Sequence, residues 1–442
     1  MRIYLETLGC RLNYAEMASL GRQLRAAGHE LAPDASQADL CVFNSCAVTS
    51  EAARQSRQLA RQLARANPAG RLIVTGCYAT LEEEAVASLP NVILVVGNRQ
   101  KDALFSLIQD LDTGRPPFLA SEAASSPATQ PRMRTRAFVK VQDGCRHHCT
   151  FCIVAVARGE ERSRPIPAVV AEVNALHAEG YQEVVLTGVH LAGYGRDLGT
   201  NLKELITALL AHTSIPRLRL SSLEPFDLTP DFFALWAQSA GRLMPHLHLP
   251  AQSGSDAVLR RMGRRHSNAD FERLADAARA AIPGLTITTD LIAGFPGETE
   301  ADFEQTLAFA RRIGFAHIHA FPYSPRQGTP AARFPAQVPP AERKRRAQRL
   351  NELDAELGAM VRRSYLGQTR PVLWENRETG AHATEAEPTQ VLWSGLTDNY
   401  LRVLLWAPAS LDLHNCITPV RLARLDGHHL WGELPELSSP TA

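Results

Sequence analysis

The sequence predicts an α/β protein in three parts: an N-terminal doubly wound parallel-sheet domain, a central partial (β/α)6 barrel and a small C-terminal β-barrel. The chain has 442 residues, enough for about three domains. Strand-like apolar runs alternate with helix-like runs over most of the chain, the pattern of parallel α/β folds. The last part instead contains short strand-like runs separated by turn signals, which is typical of a small barrel.

The N-terminal domain is expected to occupy residues 1–119. Its strand-like runs and helix-like runs alternate, and they cover residues 2–8, 15–27, 38–43, 50–66 and 71–75. Strand alternating with helix predicts a parallel, doubly wound sheet. A stretch rich in Ala, Ser and Pro follows, and we interpret residues 120–131 as a linker.

The central domain is expected to occupy residues 132–366. Six strand candidates lie at residues 138–141, 183–186, 218–220, 246–249, 286–292 and 316–321. Six βα units are fewer than the eight of a closed barrel, so an open, partial barrel fits best. A basic helix after Pro340 would end this domain.

The C-terminal domain is expected at residues 367–438. Four strand candidates lie at residues 371–374, 390–393, 400–406 and 417–425. Their short length and the turn signals between them predict a small β-barrel.

Composition places the chain in the globular class. It is 45% hydrophobic and 21% charged, which excludes disordered and collagen-like classes. No apolar run approaches the roughly 20 residues of a membrane span. The first ten residues lack the apolar core of a signal peptide, because Glu6 interrupts them. We therefore expect a cytoplasmic location and no membrane partner.

The charge balance argues against a nucleic-acid site spread over the whole surface. The net charge is only +1, residues 132–367 hold 30 basic and 24 acidic residues, and residues 368–442 hold five basic and nine acidic residues. A phosphate-binding surface is therefore expected as a local patch on the central domain.

Eight cysteines in a reduced compartment favour metal or redox chemistry over disulfides. Cys145, Cys149 and Cys152 have the spacing C-x3-C-x2-C directly after the first strand of the central domain. Loops at this end of barrel strands carry chemistry. Three thiolates can hold three irons of a cubane cluster and leave the fourth iron open. The alternatives are a zinc site completed by His147 or His148, or three unrelated thiols.

A second trio is dispersed along the N-terminal domain. Cys10, Cys46 and Cys77 each follow a strand-like run, and the carboxyl ends of parallel strands converge at one edge of a sheet. Gly9 and Gly76 would allow the backbone to approach a bulky ligand closely. The pattern predicts a second cluster site; the alternative is three buried cysteines without a ligand.

The segment CRHHCTFC resembles the signature of radical S-adenosylmethionine (SAM) enzymes, C-x3-C-x-aromatic-C. The segment DLIAGFPGE is similar to the superfamily's adenine-contacting segment, except that Asp290 replaces its first glycine. The resemblance implies that the open iron binds the amino and carboxylate groups of SAM. The residues that it implies as SAM contacts are Phe151, Gly188, Glu224, Gln252, Ile292 and Gly294.

The whole chain resembles the methylthiotransferase family of radical SAM enzymes. The segments that carry the resemblance are GCRLNYAE, NSCAVT, VTGC, VQDGCRHHCTFC, RGEERSRP, RLSSLEP, HLPAQSGS, GFPGETE and FPYSPRQGTPAA. TGVHLAGYG and QDGC are most similar to the enzymes that modify N6-threonylcarbamoyladenosine in tRNA. The C-terminal barrel then corresponds to a TRAM domain, an RNA-binding module in relatives. Ala155 and Val156 depart from the family pattern, in which Pro and Tyr are usual.

The resemblance implies methylthiolation of carbon 2 of N6-threonylcarbamoyladenosine at position 37, in the anticodon loop of tRNA. It implies two 4Fe–4S clusters, two SAM molecules per turnover, a low-potential electron donor and a sulfur donor that the sequence does not identify. The cluster on Cys145, Cys149 and Cys152 would generate the radical, and the other would hold the sulfur. No catalytic residue beyond the cluster ligands is expected.

The sequence leaves two alternative functions open. Within the same chemistry, the target could be an aspartate of a ribosomal protein or isopentenyladenosine in tRNA. From another class, the chain could be a non-catalytic iron–sulfur protein that binds RNA.

Basic residues near the cluster loop and on the basic helix are the candidate phosphate contacts. They are Arg158, Arg162, Arg164, Arg343, Lys344, Arg345 and Arg346. The alternative for the helix is an ordinary solvated face.

Overall fold

The computed structural model describes residues 1–113, 135–378, 390–427 and 429–435. Within these ranges, no helix is both long enough and apolar enough to cross a membrane. The linker expected at residues 120–131 lies outside the described residues.

The N-terminal domain contains a five-stranded, all-parallel sheet with strand order β2-β1-β3-β4-β5. Its strands are β1 (Arg2–Thr7), β2 (Glu30–Leu31), β3 (Leu40–Ser45), β4 (Arg71–Gly76) and β5 (Val92–Val96). Its helices are α1 (Arg11–Ala26), α2 (Ser50–Ala66), α3 (Cys77–Leu81), α4 (Glu83–Ala87) and α5 (Leu104–Thr113). This strand order is that of a doubly wound fold, so the predicted class is confirmed.

The central strand β3 shows why the sheet is covered on both faces. Leu40 and Val42 pack into the core on one face, whereas Cys41 and Phe43 pack into the core on the other. A strand buried on both faces is apolar throughout, as in other parallel sheets. Cys41 is therefore a packing residue of the strand and not a member of the cysteine trio.

The central domain is an open barrel of six parallel strands. The strands are β6 (Arg136–Lys140), β9 (Glu183–Thr187), β10 (Arg217–Leu220), β11 (His246–His248), β12 (Thr286–Ala293) and β13 (His317–Pro322), with a two-stranded ribbon of β7 (Gln142–Asp143) and β8 (Arg162–Ser163) beside them. The trios β10-β9-β6 and β11-β12-β13 are joined by the bridges Leu218↔Leu243 and Ser222↔His248. The predicted partial barrel is confirmed.

Eight α-helices belong to the described part of this domain, and most of them pack on the outer face of the barrel. They are α6 (Val154–Arg158), α7 (Ile166–Ala178), α8 (Leu202–His212), α9 (Ala234–Gln238), α10 (Asp256–Arg261), α11 (Asn268–Ala281), α12 (Glu300–Ile313) and α13 (Pro340–Ser364).

Side chains alternate along the barrel strands, so that apolar residues face the helices and polar residues face the lumen. Leu218 and Leu247 belong to the core shared with the helices. Arg219 and His248 lie at the intervening positions and are buried polar residues. The lumen is therefore polar, which is unusual for a space enclosed by parallel strands.

The C-terminal domain is a closed barrel with strand order β14-β15-β16-β18-β17, as predicted. The strands are β14 (Thr369–Arg377), β15 (Gln390–Thr397), β16 (Arg402–Pro408), β17 (Ile417–Asp426) and β18 (His429–Glu433). Strand β18 was not predicted from the sequence, and neither were β2 and β5 in the first domain or β7 and β8 in the second.

The small barrel closes the amino end of the lumen. Tyr400, in the turn between β15 and β16, adopts a positive φ of 73°, and its ring stacks on His246 with centroids 4.5 Å apart. The Arg219 guanidinium lies 4.7 Å from the same ring, a cation–π distance. Arg217 donates to the carbonyl oxygen of Pro371 at 2.8 Å. The Tyr400 side chain thus closes the lumen at the amino ends of the barrel strands.

Candidate functional site

The structure brings Cys10, Cys46 and Cys77 to one edge of the N-terminal sheet. They follow β1, β3 and β4, which are neighbours in the sheet. The order of the strands reverses between β1 and β3, and such a switch point is where doubly wound sheets bind ligands. A Cβ added to Gly9 would lie 2.7 Å from the Cβ of Cys46. Glycine therefore allows the first cysteine loop to pack against the second.

Polar side chains connect this trio to the central domain. The Asn98 amide donates to the Cys77 sulfur at 3.6 Å and to a carbonyl oxygen of α6 at 2.8 Å. The Cys10 thiol donates to the Asn13 side-chain oxygen at 3.7 Å, and Arg158 donates to that same oxygen at 2.7 Å. Because α6 directly follows the second cysteine motif, the two cysteine sites share one domain boundary.

The other trio, Cys145, Cys149 and Cys152, lies on a single loop after β7, which we call the cluster loop. The Cys152 amide donates to the carbonyl oxygen of Cys149 at 3.0 Å, which forms a tight turn between these two cysteines. The Thr150 amide donates to the carbonyl oxygen of Met262 at 3.0 Å. The loop, which begins at Cys145, is thus held against the end of α10.

Hydrogen-bond donors point at two sulfurs of this loop. The His147 amide donates to the Cys145 sulfur at 3.4 Å, and Arg264 donates to the Cys149 sulfur at 3.8 Å. The Arg264 side chain is held in turn by Glu224 at 2.5 Å. Donors of this kind favour thiolate over thiol. Glu224, expected as a SAM contact, lies beside the cluster loop through this pair.

Neither cysteine trio has the geometry of a zinc site with three thiolates. In the described chain, neither trio has its three sulfurs within 4.8 Å of one another, whereas thiolates on one zinc ion are about 3.8 Å apart. His147 is bonded to Asp227 at 3.3 Å, so it does not complete a zinc site with the loop cysteines. A cubane binds each thiolate at a separate iron and requires the wider spacing.

Burial shapes the electrostatics of both trios. It raises the pKa of Cys46 to about 11, that of Cys152 to about 11 and that of Cys145 to about 12. These sulfurs carry protons at neutral pH unless a cation replaces them. A cation that binds these sulfurs as thiolates must therefore displace their protons.

Two of the expected SAM contacts share an apolar wall. Phe151 and Ile292 pack against the same buried cluster, which includes Val258 and Phe295. Gln252 adopts a positive φ of 68°, and its carbonyl oxygen accepts a hydrogen bond from the Ile292 amide at 2.9 Å. The structure thus places this segment beside the cluster loop; contact with SAM stays a prediction.

The two expected glycine contacts are closely packed. A Cβ on Gly188 would lie 3.0 Å from the Gln142 side-chain oxygen. The Gly294 amide donates to Glu298 at 2.6 Å, and a Cβ there would lie 2.3 Å from the Cγ of Arg343. Packing explains glycine at both positions, so their contact with SAM also stays a prediction.

The structure does not support Arg158 and Arg346 as phosphate contacts. The Arg158 side chain is 2% exposed and donates to Glu16 at 3.0 Å and Asp143 at 2.9 Å. The Arg346 side chain is 7% exposed and is paired with Glu298 at 2.8 Å. Both guanidiniums are already neutralised inside the protein, which corrects the expectation from sequence.

The other five basic candidates are more accessible. Arg162, Lys344 and Arg345 are exposed. Arg164 and Arg343 are half-buried, and they donate to a carboxylate and to a backbone carbonyl, respectively. Arg345 is paired with Glu342 at 2.8 Å, whereas Lys344 has no carboxylate partner among the described residues. Contact of the three exposed residues with phosphate stays a prediction.

Sequence reasoning missed a buried ionic network between the first two domains. Glu16 on α1 is bonded to Lys101 at 2.6 Å and to Lys140 at 3.1 Å, and it also accepts from Arg158. Burial alone would raise the pKa of Glu16, but these three cations hold it well below its ordinary value. The partners of Glu16 come from distant segments of the chain. The sequence therefore offered one weak signal of the network, the acidic residue itself on a predicted helix.

Gly144→Ala is expected to disrupt the cluster loop. Gly144 has a φ of 74°, and an added Cβ would lie 1.8 Å from the carbonyl oxygen of Glu160. We expect a loss of about 2–4 kcal/mol of stability, seen as a lower melting temperature. Gly180→Ala is the control, since Gly180 has a φ of 97° but no atom within 4 Å of an added Cβ. That variant should lose only about 1 kcal/mol; equal losses would contradict the steric explanation.

Comparison with known proteins decides the family. Residues 139–310 match the radical SAM superfamily, and residues 2–97 match the uncharacterized protein family UPF0004. The threonylcarbamoyladenosine tRNA methylthiotransferase MtaB of Thermotoga maritima is 37% identical over 84% of this chain and 86% of its own. The chain belongs to the methylthiotransferase family of radical SAM enzymes.

This methylthiotransferase is a transferase, and family membership implies SAM and a 4Fe–4S cluster. Its relatives differ in their named substrate. A protein of Sorangium cellulosum, 36% identical over 100% of this chain and 95% of its own, is named tRNA-2-methylthio-N(6)-dimethylallyladenosine synthase. The relatives thus share the transfer to tRNA and differ in the group on the adenosine.

The fold of this methylthiotransferase also occurs in more distant enzymes. The radical SAM methyltransferase TsrM from Kitasatospora setae aligns with a TM-score of 0.55 and 16% identity, over 74% of this chain and 75% of TsrM. At this identity, the likeness concerns the fold alone.

Proposed function

We propose that this methylthiotransferase inserts a methylthio group at carbon 2 of N6-threonylcarbamoyladenosine at position 37 of tRNA. Five relatives that are 35–37% identical are named threonylcarbamoyladenosine tRNA methylthiotransferase. The observation that carries the proposal is the pair of cysteine trios on the two sides of one domain boundary. Sulfur insertion needs a radical source and a sulfur source close together, and this pair provides both.

The division of labour follows the two domains. Cys145, Cys149 and Cys152 would hold a 4Fe–4S cluster that supplies the electron for SAM cleavage to the 5′-deoxyadenosyl radical. The trio Cys10, Cys46 and Cys77 would hold a second cluster, at which the sulfur is kept. We propose that the three domains occupy residues 1–119, 132–366 and 367–438.

The side chains of this protein would bind and orient the substrate, and they would exclude water from the site. Arg158 and Asn13 close the boundary between the two trios through their 2.7 Å hydrogen bond. The open mouth of the lumen would admit the target nucleoside from the anticodon loop. The exposed Arg162, Lys344 and Arg345 would contact phosphates of the tRNA. Removing one such contact should reduce the slope of log Kobs for tRNA binding against log salt concentration by about one.

Loss of the gene tests the substrate directly. We expect tRNA from a deletion strain to contain N6-threonylcarbamoyladenosine without its 2-methylthio group, as measured by mass spectrometry of nucleosides. A plasmid copy should restore the modification, and a Cys149→Ala copy should not. An unchanged nucleoside profile would refute the proposal. Loss of the dimethylallyl derivative, or of a methylthio-aspartate in a ribosomal protein, would assign a different substrate.

A further inference from the structure

Four polar residues face one another in the lumen of the central barrel, and we call them the lumen cluster: Arg11, His248, Asp290 and His319. His248 lies on β11, Asp290 on β12 and His319 on β13. His248 Nε2 lies 3.3 Å from the Asp290 carboxylate, and potential ligand atoms of all three strand residues lie within 4.8 Å of one another. Arg11, at the start of α1, enters this space from the N-terminal domain.

Two members of the lumen cluster, His319 and Arg11, have hydrogen-bonding groups that the described residues do not satisfy. His319 is exposed, and the described residues provide no hydrogen-bond partner for its ring. The ring packs near His317 at 4.3 Å, His248 at 5.6 Å and Phe321 at 6.5 Å. The described residues give Arg11 one side-chain hydrogen bond, to the Tyr400 hydroxyl at 3.2 Å. The arrangement therefore retains several N–H donors for a ligand.

Arg11 supplies this space with a positive charge that no described carboxylate pairs, whereas the Asp290 carboxylate lies beside His248. The buried Arg219 is neutralised by a bidentate pair with Glu183 at 2.7 and 3.1 Å. Burial, with the nearby positive charge of Arg11, lowers the pKa of His319 to about 4. Its ring is thus neutral at physiological pH and can donate one N–H. A divalent cation would be repelled by the Arg11 guanidinium.

We propose that the lumen cluster recognises the carboxylate of an acidic substituent on N6 of the target adenosine. Arg11 and His319 donate to the carboxylate, and Asp290 accepts from an N–H or hydroxyl group of the same substituent. The inference rests on the proposed function and deepens it, because a threonylcarbamoyl group has a carboxylate, a hydroxyl group and N–H groups. A dimethylallyl group has none of them.

The same residues would reject a hydrocarbon substituent. An apolar group in this lumen would take water away from Arg11, His319 and Asp290 without offering them partners, and sites built to bond polar groups discriminate strongly for that reason. The lumen cluster is therefore an element of specificity, in addition to the chemistry at the cysteines.

The test compares two anticodon stem-loop RNAs, one with N6-threonylcarbamoyladenosine and one with its neutral methyl ester. For the reconstituted enzyme, we expect the KM of the ester to exceed that of the acid by about ten- to a hundredfold, the size of a charged hydrogen bond. In His319→Phe and Arg11→Gln, this ratio should fall towards one. His212→Leu is the matched control, because His212 is exposed at the end of α8 and lies outside the lumen; it should keep the wild-type ratio.

The outcomes separate the two proposals. A wild-type ratio near one, or an unchanged ratio in both variants, would overturn the role of the lumen cluster. One equivalent of metal beyond the cluster iron, lost in His319→Phe, would instead assign these residues to a metal ion. Wild-type enzyme that modifies RNA containing dimethylallyladenosine and ignores the threonylcarbamoyl RNA would refute the proposed function itself. Iron content and circular dichroism should match among the variants, so that a folding defect is recognised.

Discussion

Replacing Cys149 with alanine is expected to abolish the reductive cleavage of SAM. Cys149 is one of three cysteines on the loop, and its sulfur accepts a hydrogen bond from Arg264 at 3.8 Å. With two thiolates left, the cluster that supplies the electron is not retained. Removal of even a supporting residue of a metal site costs 10- to 100-fold, so a lost ligand should reduce 5′-deoxyadenosine formation by more than about a hundredfold. Chromatography of anaerobic reactions with dithionite measures this product.

Iron analysis and a matched control make the result specific. The Cys149→Ala variant should keep about four of about eight irons, since the N-terminal trio is untouched. Cys416→Ala is the control: Cys416 is an exposed free cysteine of the C-terminal barrel, and its removal should change neither iron content nor SAM cleavage. Full cleavage by Cys149→Ala would contradict the assignment of the loop trio.

Replacing Cys46 with alanine is expected to separate radical formation from methylthio transfer. Cys46 is a buried residue of the N-terminal domain, and this domain has core clusters distinct from the main core of the barrel. Losing its thiolate should remove about four irons and stop methylthio transfer. Formation of 5′-deoxyadenosine should continue, because the loop trio is intact. The two products are measured in the same anaerobic reaction, with tRNA lacking the methylthio group as substrate.

Cys41→Ala is the control for this variant. Cys41 lies on β3, five positions before Cys46, and it is equally buried but packs in the core of the sheet. Its removal should preserve iron content and methylthio transfer despite a modest loss of stability. If Cys46→Ala and Cys149→Ala lost SAM cleavage equally, the division of labour between the trios would be wrong.

Much of the fold was predictable because its signals are local. The buried apolar run of β3 and the alternating polar and apolar residues of the barrel strands are periodic patterns within short segments. The N-terminal trio was predictable for a related reason. Cys10, Cys46 and Cys77 each follow a strand, and parallel strands bring their carboxyl ends together whatever the intervening sequence is.

The expectations for the arginines failed where pairing depends on distant segments. Arg158 was expected to bind phosphate, but it lies beside Glu16, which is 142 residues away in the sequence. An ion pair inside a protein requires both partners to be desolvated together. Nothing in the sequence next to an arginine indicates whether a carboxylate from another domain will meet it.

The sequence alone determined the three-part α/β architecture, the cysteine motif of the central loop and the family resemblance, because each depends on spacing within a short segment or on strand topology. The tertiary structure alone decided which arginines remain exposed, how Tyr400 closes the lumen and how Arg11 comes to lie near His319. These features arise where separate domains pack together, and burial and charge pairing at such contacts are set by three-dimensional proximity and not by neighbouring residues in the chain.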